Sequence, residues 1–193
     1  MLNKETVSVP LLSAHRFVHP MHTVLVSCVG KTDRPNIITL AWAMPTSINP
    51  PLVAVSIAQR RHSHRLIEET REFVVNIPTI DILDATFHCG VVSGRDHDKF
   101  KEARLTPLPA KRVKPPIIKE CIAHLECRLH SQFTTGDHTV FVGEIVEAYA
   151  NKDALIGEKY NLEKARMVYH VGFDEFATLE PKIFKPKPLA PKT

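Results

Sequence analysis

Three arginines, two histidines and a serine follow one another in the run Arg60-Arg61-His62-Ser63-His64-Arg65. The run comes after an apolar stretch that ends near Ala58, and it opens a stretch with helical spacing. The N-terminus of a helix exposes unpaired amides and carries about half a positive charge. Arginine and serine side chains add charged and neutral donors, so the run predicts a site for a phosphate group. The alternative interpretation is a solvated basic turn.

A polar loop precedes this run and predicts a site for a flat ring. It leads from Trp42 to Ser47, and then into Asn49-Pro50-Pro51, which we expect to be extended because proline restricts the residue before it. Hydroxyl and backbone groups of such a loop can bind the polar edge of a ring system, while Trp42 or Met44 covers one face. The alternative is a proline-stiffened turn beside a core tryptophan.

Two more segments carry groups that would complete such a site. After Gly90, a short charged segment contains Ser93, Lys99 and Phe100, where the lysine can meet a phosphate or a negative ring edge and the phenylalanine can pack on the ring. At a predicted hairpin turn, Asp137 can fix the turn and His138 can contact a nicotinamide donor. A polar surface loop and a hydrogen-bonded residue at the end of a strand are the alternative interpretations.

Other catalytic and metal-binding patterns are missing from the sequence. The eleven histidines and four cysteines do not form a zinc spacing, so we predict no metal site. A nucleophile elbow, a Walker loop and a Gly-x-Gly-x-x-Gly run are also absent, and a Rossmann nicotinamide site is therefore not supported. We interpret the cysteines as small apolar core residues. The alternative is a reactive thiol at Cys89.

The elements that must position these groups are mostly short strands. Apolar runs predict strands over residues 24–29, 36–42, 52–57 and 72–77, and helical spacing predicts helices over residues 62–70 and 80–89, with Gly90 as the stop. Residues 120–130 alternate between apolar and polar, which is typical of an antiparallel strand with one solvent-exposed face. Residues 139–149 return as its partner, and Gly143 indicates a bulge or a close backbone approach. These elements predict an antiparallel barrel with a few helices outside.

The length and charge of the chain limit its class. The 193 residues suit one domain with a real core, and a net charge of +4 is too small to indicate a nucleic-acid partner. No apolar run approaches the roughly 20 residues needed to span a bilayer, and the N-terminus does not look like a secretory signal. We therefore expect a cytoplasmic protein without a membrane partner. Its expected parts are an N-terminal arm (1–17), one domain (18–180) and an extended tail rich in proline and lysine (181–193).

The order of these segments carries a resemblance to a known family. In sequence come Asn36-Ile-Ile-Thr-Leu-Ala-Trp42, Ser47-Ile-Asn-Pro-Pro51, Leu52-Val-Ala-Val-Ser-Ile57, Arg61-His-Ser-His64 and Glu72-Phe-Val-Val-Asn-Ile-Pro78. They are followed by Cys89-Gly90, Ser93-Gly-Arg-Asp96, Asp98-Lys-Phe100, Leu125-Glu-Cys127 and Gly136-Asp-His138 leading into Phe141-Val-Gly-Glu-Ile-Val146. Over about residues 18–169 the chain resembles the flavin reductase-like, FMN-binding split-barrel family, in particular its flavoredoxin-type branch.

The resemblance implies a six-stranded antiparallel Greek-key split barrel with short helices outside, and a homodimer with FMN bound near the interface. It also implies roles for the candidate residues. The ring edge would be lined by Trp42, Ala43, Met44, Pro45, Thr46 and Ser47, and the phosphate would be held by Arg61, His62, Ser63 and His64. The pocket would be completed by Ser93, Lys99 and Phe100, bordered on the substrate side by Asp137 and His138, and closed over the flavin by Tyr169.

The function implied by the resemblance is that of an FMN-binding oxidoreductase. It would move electrons from NAD(P)H or a reduced partner through FMN to free flavin or to a small acceptor. The flavin ring would carry the chemistry, so no side chain is required as acid or base, and His138 is the only candidate for a catalytic contact. One alternative is a flavoredoxin-like electron carrier without nicotinamide turnover. Another is a barrel of this type that has lost flavin, as in pyridoxal-phosphate or haem-related relatives.

Overall fold

The computed structural model describes residues 5–32 and 34–187, and its regular structure is mostly short β-strands. In chain order the strands are β1 (Met21–His22), β2 (Val24–Cys28), β3 (Asn36–Leu40), β4 (Ala43–Ser47), β5 (Leu52–Ala58), β6 (Glu72–Ile77), β7 (Pro107–Leu108), β8 (Ile117–Ile118), β9 (Ala123–Thr135), β10 (His138–Ala150), β11 (Leu155–Ile156), β12 (Lys159–Tyr160), β13 (Tyr169–Gly172) and β14 (Glu175–Ala177). The α-helices are α1 (His62–Thr70), α2 (Leu83–Val91) and α3 (Lys99–Glu102), and 3₁₀-helices span Leu11–Val18, Ile80–Ile82 and Lys152–Ala154.

The main sheet is antiparallel, with the strand order β3-β2-β6-β9-β10-β5-β4. The two ends of this sheet curl toward each other, because β3 and β5 are in contact although four strands separate them in the sheet. The predicted mainly β split barrel is therefore confirmed. The main sheet has seven strands rather than the expected six, since residues 43–47 pair with β5 as an additional edge strand.

The segment from Trp42 to Pro51 differs from its prediction. Residues 43–47 form a strand rather than a loop, with Ala43 opposite Val55 and Pro45 opposite Val53. Residues 48–51 form a turn rather than an extended segment, because antiparallel pairing of β4 with β5 requires the chain to reverse there. Proline is tolerated in β4 because this strand lies at the edge of the sheet and carries a register shift after Pro45.

The barrel encloses one apolar core to which six strands of the main sheet contribute. Phe73 on β6 and Phe141 on β10 are its largest fully buried side chains. Gly143 lies against this core, since a Cβ atom there would lie 2.5 Å from Cζ of Phe73 and 2.8 Å from Cβ of Cys127. The register of β10 against β9 shifts between Val142 and Gly143, which confirms the predicted bulge.

The first half of β9 is covered on both faces, so the expected solvent-exposed face is wrong there. The segment before β8 crosses the outside of the sheet, where the backbone amides of Lys111 and Arg112 donate to the carboxylate of Glu126 at 2.8 and 2.6 Å. His124 bonds Asn76 Oδ1 at 2.8 Å, and burial lowers the pKa of this histidine to about 4. Polar residues alternate with apolar ones here because a buried polar network, rather than water, satisfies them.

Helices α2 and α3 cover the face of β2 and β3 that points away from the barrel core. A second apolar cluster joins Leu25 and Ile37 to Cys89 of α2 and Phe100 of α3. Near the C-terminus, β13 pairs with β1, opposing His170 to Met21, and this pairing brings the Leu11–Val18 turn beside the β13–β14 hairpin. Within the described part of the chain, no helix is long and apolar enough to cross a membrane.

Candidate functional site

Two adjoining cavities lie where β3, β5, α1 and α2 meet. The larger, which we name the aromatic cavity, has a volume of about 360 Å³. It is lined by His15, His19, Thr23, Ile38, Thr39, Leu40, Ala41, Trp42, Ser56, Ala58, Arg60, Arg61, Phe87, Gly90, Val91, His138, His170, Phe173 and Phe176. The smaller, which we name the basic cup, has a volume of about 130 Å³ and is lined by Asn36, Ile38, Arg60, Arg61, His62, Ser63, Val92, Ser93, Gly94, Arg95 and Lys99.

The two cavities are neighbours with a common wall, because Ile38, Arg60 and Arg61 line both. Together they resemble a ligand site with a wide, ring-lined part and a narrow, charged end. Among the described residues, neither cavity is lined by an aspartate or a glutamate. An anion at the narrow end would therefore meet cations and neutral donors without a facing carboxylate.

The turn between β5 and α1 builds one wall of the basic cup. Arg61 is the N-cap residue of α1, and no side chain of the described residues caps this helix end. Ser63 is buried in the first turn, and Asn36 Nδ2 donates to its hydroxyl oxygen at 2.8 Å, which holds the hydroxyl against the cup. The helix dipole and the side chains on this wall thus both favour a negatively charged ligand.

Lys99 forms the opposite wall and is almost completely buried, with 5% of its surface exposed. Its ammonium donates to the carbonyl oxygens of Ile37 at 2.8 Å and Cys89 at 2.7 Å. An ammonium has three N–H donors, and within the described residues the third has no protein acceptor. Burial lowers the pKa of Lys99 from its ordinary value, and the Arg61 charge adds to this effect. A phosphate in the cup would stabilise the charged form.

The loop after α2 closes the cup by packing its backbone against β3. A Cβ atom on Gly94 would lie 2.0 Å from Oδ1 of Asn36, so any other residue at this point would displace the Asn36 side chain. The guanidinium of Arg95 donates to the carbonyl oxygen of Arg60 at 3.1 Å, and that of Arg34 donates to the carbonyl oxygen of Gly94 at 3.5 Å. The first bond ties the loop to the turn before α1, and the second ties it to the segment between β2 and β3.

Aromatic rings follow one another around the larger cavity. The ring of Trp42 lies 4.8 Å from that of His138 and 5.8 Å from that of His15, and the rings of His19 and His170 are 5.1 Å apart. Flat apolar surfaces of this kind suit a planar ligand. Two lining residues carry buried polar atoms without a partner in the described structure, Nε2 of His19 and Oγ1 of Thr23.

The structure brings together part of the set of residues identified from the sequence. Arg61, His62, Ser63, Ser93 and Lys99 line the basic cup. Trp42 and His138 line the aromatic cavity, where Asp137 Oδ1 lies 2.6 Å from Nδ1 of His138 and orients its ring. This hydrogen bond lowers the pKa of the exposed Asp137 carboxyl.

The other candidates lie outside both cavities. On the edge strand β4 lie Ala43, Met44, Pro45, Thr46 and Ser47, and the middle three are exposed. His64 faces the barrel, bonded to Oγ1 of Thr139 at 2.8 Å, and Phe100 belongs to the apolar cluster under α3. The ring of Tyr169 lies 5.4 Å from that of His22. The proposed binding roles of these residues stay predictions.

Several lining residues were not identified from the sequence. Gly94 and Arg95 lie inside a run that resembles the family and could have been found there. Asn36 also lies in a run that resembles the family, but as the first residue of a predicted strand it was not identified as a binding residue. The remaining residues come from the two ends of the domain and are brought together by the pairing of β1 with β13. Strand β1 has only two residues, so its sequence shows no strand pattern. These lining residues are His15, His19, Thr23, His170, Phe173 and Phe176.

The cysteines are all free and buried. Burial raises the pKa of the Cys89 thiol to about 11, so it stays protonated near neutral pH. A reactive thiol at this position is therefore not supported. Among residues 5–32 and 34–187, no group of three or more histidine, cysteine or acidic side chains could hold a metal ion.

Comparisons with known proteins place this arrangement in a family. The model of the flavin reductase-like domain matches residues 15–171. An uncharacterised protein of Archaeoglobus fulgidus is 39% identical over 88% of this chain and 94% of its own length. An NADH-dependent FMN reductase of Streptomyces nodosus is 26% identical over 68% of this chain and 70% of its own. The crystal structure of flavoredoxin from Methanosarcina acetivorans superposes with a TM-score of 0.84 at 27% identity, covering 94% of this chain and 95% of that one. The chain therefore belongs to the flavin reductase-like domain family.

Proposed function

We propose that the protein binds FMN, with the phosphate in the basic cup and the ring system in the aromatic cavity, and that it acts as an oxidoreductase. The observation that carries the proposal is the basic cup itself. Arg61, Ser63 and Lys99 converge there from two elements, no acidic side chain of the described residues lines it, and it adjoins a cavity lined by rings. A phosphate monoester carries about −1.5 to −2 charges near neutral pH and has three strong acceptor oxygens.

The residues present fit this cofactor on three counts. The cup offers the charged donors that a phosphate needs, including a buried ammonium whose pKa is lowered by burial. The close packing of Gly94 on Asn36 keeps a Cβ atom out of its wall. In the larger cavity, the unpartnered atoms Nε2 of His19 and Oγ1 of Thr23 are suited to the polar groups of a heterocyclic ring.

Bound FMN would supply reversible uptake and release of electrons, and the protein would control its position and surroundings. Arg61 and Lys99 would hold the phosphate end, while Trp42 and Phe87 line the cavity proposed for the ring. Asp137 orients the imidazole of His138 through the 2.6 Å hydrogen bond. Positively charged and neutral donors near the ring favour the anion that a flavin becomes on reduction.

The proposed electron donor is NADH or NADPH, and the proposed acceptor is free flavin or a small molecule. The similarity to an NADH-dependent FMN reductase of Streptomyces nodosus supports this assignment. His138 would contact the nicotinamide, because it lines the aromatic cavity beside Trp42 and remains partly exposed.

The second candidate is an electron carrier that exchanges electrons with another redox protein and does not oxidise nicotinamides. It is favoured by the similarity to the flavoredoxin of Methanosarcina acetivorans, which extends over nearly the whole chain. The two candidates share the FMN site and differ only in the electron donor.

We also propose a homodimer with the flavin near the interface, and a cytoplasmic location. The dimer is supported by the free edge of β4, where Met44 is 60% exposed and the following Ile48 is 95% exposed. A second copy on this edge would cover these side chains and bring the residues of β4 near a ring. The location is supported by the four free cysteines, since disulfides are rare in the cytosol.

An anaerobic mixing experiment tests the function. The chromophore is released from the purified protein and identified, and the FMN-loaded protein is then mixed with NADH and with NADPH in separate runs. We expect FMN as the chromophore and rapid bleaching of its visible absorption band by one of the nicotinamides. Bound FMN that no nicotinamide bleaches favours the carrier. A protein that neither retains nor takes up FMN contradicts the proposal.

A further inference from the structure

The turn between β13 and β14 contains a residue that does not suit it. Gly172 pairs with Glu175, so Phe173 and Asp174 form a two-residue hairpin loop. Phe173 is the first residue of this loop and has a φ of 54°, in the left-handed region that favours glycine. Hairpin loops of this length usually place glycine, asparagine or aspartate where φ is positive, because a bulky side chain is strained there. Strain of this kind persists only where other contacts hold the residue, and it is commonest at functional sites.

Two arginines of the described chain share this backbone conformation, and both have a local structural reason for it. Arg71, with a φ of 58°, is the C-cap residue of α1, and its amide donates to the carbonyl oxygen of Ile67 at 2.8 Å. Arg104, with a φ of 54°, follows the end of α3, and its amide donates to the carbonyl oxygen of Lys101 at 3.2 Å. Left-handed residues commonly end helices in this way. Phe173 ends no helix, so its strain needs another explanation.

Two side chains hold Phe173 at the rim of the aromatic cavity. The guanidinium carbon of Arg16 lies 3.8 Å from the centroid of the phenylalanine ring. The Nε2–H group of His170 donates to the carbonyl oxygen of Phe173 at 3.0 Å. Phe173 lines the cavity, yet 77% of its surface is exposed. The fold therefore keeps an apolar ring in a strained position beside the site, where burial gives little stability in return.

We propose that Phe173 is a binding residue for the flat aromatic ring of the second substrate, the electron donor or acceptor that meets bound FMN, and that Arg16 is its positioning residue. This inference rests on the proposed function, which assigns the FMN ring to the same cavity. A second substrate enters after FMN is bound, so it meets the exposed rim first. A phenylalanine ring there offers an apolar surface for stacking, and the guanidinium restricts its movement. Nicotinamides and aromatic acceptors both present a flat ring of this kind.

Glycine at this position separates the strain from the binding. Phe173→Gly relieves the backbone strain and removes the ring, whereas Phe173→Tyr keeps the ring. Arg104→Gly is the matched control, because it relieves the same backbone conformation at a residue that lines neither cavity. The melting temperatures of both glycine variants should equal that of the wild type or exceed it by up to about 4 °C, since relief of the strain offsets the contacts that are lost.

Affinity for the second substrate is measured on the FMN-loaded proteins under anaerobic conditions. NADH and NADPH are the donor probes, and the concentration dependence of flavin bleaching gives their affinity. Menadione is the acceptor probe, and it takes two electrons and two protons from the photoreduced protein while the flavin absorption returns. Phe173→Gly should weaken the binding of at least one probe about threefold to tenfold, as expected for the loss of one aromatic contact. Phe173→Tyr and Arg104→Gly should stay within about twofold of the wild type, as should the affinity of every variant for FMN.

The two sets of probes identify the substrate that carries the ring. A loss for the nicotinamides alone assigns the ring to the electron donor, and a loss for menadione alone assigns it to the acceptor. If neither nicotinamide bleaches the wild-type protein, the menadione measurement alone decides. Arg16→Gln should weaken the binding of the same probe and have no further effect in the Phe173→Gly background, because residues that act through one another are not additive.

Three results would overturn the inference. An unchanged affinity of Phe173→Gly for all probes would mean that the ring contacts no second substrate. An equal loss of FMN affinity would place Phe173 against FMN itself. A melting temperature of Phe173→Gly well below those of the wild type and Arg104→Gly would mean that the ring serves the fold. A wild-type protein that binds no FMN would instead contradict the proposed function, on which this inference rests.

Discussion

The sequence predicts binding residues in both the basic cup and the edge strand β4, yet the two regions differ in how far the single chain already positions and buries them. Side chains of the cup are buried or held by hydrogen bonds, as with Ser63 against Asn36 and Lys99 against Ile37. On β4, Met44, Pro45 and Thr46 are exposed, and one edge of the strand has no neighbour in the described sheet. A single chain forms the complete cup, whereas β4 stays exposed unless a ligand or a second copy of the chain covers it.

This difference separates two kinds of binding residue. A side chain that the fold holds in place before binding loses little conformational entropy when the ligand arrives. An exposed strand gains its contacts only when a ligand or a second copy of the chain covers it. The cup should therefore determine affinity, and β4 should adjust the environment of the ring.

Removal of two donors from the cup should have the largest effect. In the double variant Arg61→Ala/Ser63→Ala, FMN affinity should fall at least tenfold, because each charged hydrogen bond contributes about 1.5–3 kcal/mol. The matched double variant Thr46→Ala/Ser47→Ala on β4 should lose less. Fluorescence titration with FMN and with riboflavin measures the affinities of both variants. The cup variant should lose less affinity for riboflavin than for FMN, because riboflavin has no phosphate, although Arg61 also lines the aromatic cavity. If the cup variant binds FMN as tightly as the wild type does, the phosphate does not bind in the cup.

A methyl group added at Gly94 should deform the cup. Since its Cβ would lie 2.0 Å from Oδ1 of Asn36, Gly94→Ala must displace the hydrogen bond between Asn36 and Ser63. We expect a free energy of unfolding lower by about 1–3 kcal/mol, and weaker FMN binding. Gly90→Ala is the control, because its Cβ would come no closer than 3.2 Å to Thr39. Urea unfolding measures the free energy of unfolding of both variants. If both lose the same amount of it, the close contact at Gly94 has no special importance.

Alkaline pH should weaken FMN binding through Lys99. Burial lowers the pKa of this lysine, so its ammonium loses the proton at a lower pH than an exposed lysine does. A phosphate favours the charged form, and FMN affinity should therefore be full below this pKa and fall as pH rises through it. The fall should reach at most about tenfold per pH unit. Titrations between pH 7 and 10 should show this dependence in the wild type and a flatter one in Lys99→Met. Identical profiles would mean that the ammonium does not face the phosphate.

Substitutions on the turn after β4 and on β4 itself should have the smallest effect on the single chain. Because Met44 and Ile48 are exposed, Met44→Ser and Ile48→Ser should change its free energy of unfolding by no more than about 0.5 kcal/mol. If a second copy covers this edge, the same variants should dissociate at higher protein concentration than the wild type. Analytical ultracentrifugation measures this, and unchanged dissociation would place the interface elsewhere.

Local signals predicted the elements of the cup accurately. Helix α1 begins and ends at the predicted residues, and β5 ends one residue beyond its prediction, since an apolar strand, a basic turn and a short amphipathic helix follow one another in the sequence. Within α1, however, the cup receives His62 and Ser63 but not His64. Successive helical residues are rotated by about 100°, so His64 faces β10 and bonds Thr139.

Contacts between distant segments account for the lining residues and the buried carboxylate that the sequence does not reveal. His15 belongs to the predicted N-terminal arm and His170 to the last part of the predicted domain, and they meet only because β1 pairs with β13. For Glu126, the alternating pattern predicted solvent, but the chain between α3 and β8 returns over it and satisfies its carboxylate. Burial of this kind depends on where distant segments of the chain run, and the hydrophobic periodicity of one strand does not predict that.

The most direct test of the phosphate assignment is a crystal structure of the protein with FMN. We expect the phosphate within hydrogen-bonding distance of Arg61, Ser63 and Lys99, and the ring system in the aromatic cavity beside Trp42. A phosphate bound at any other place, with only solvent in the basic cup, would contradict the assignment.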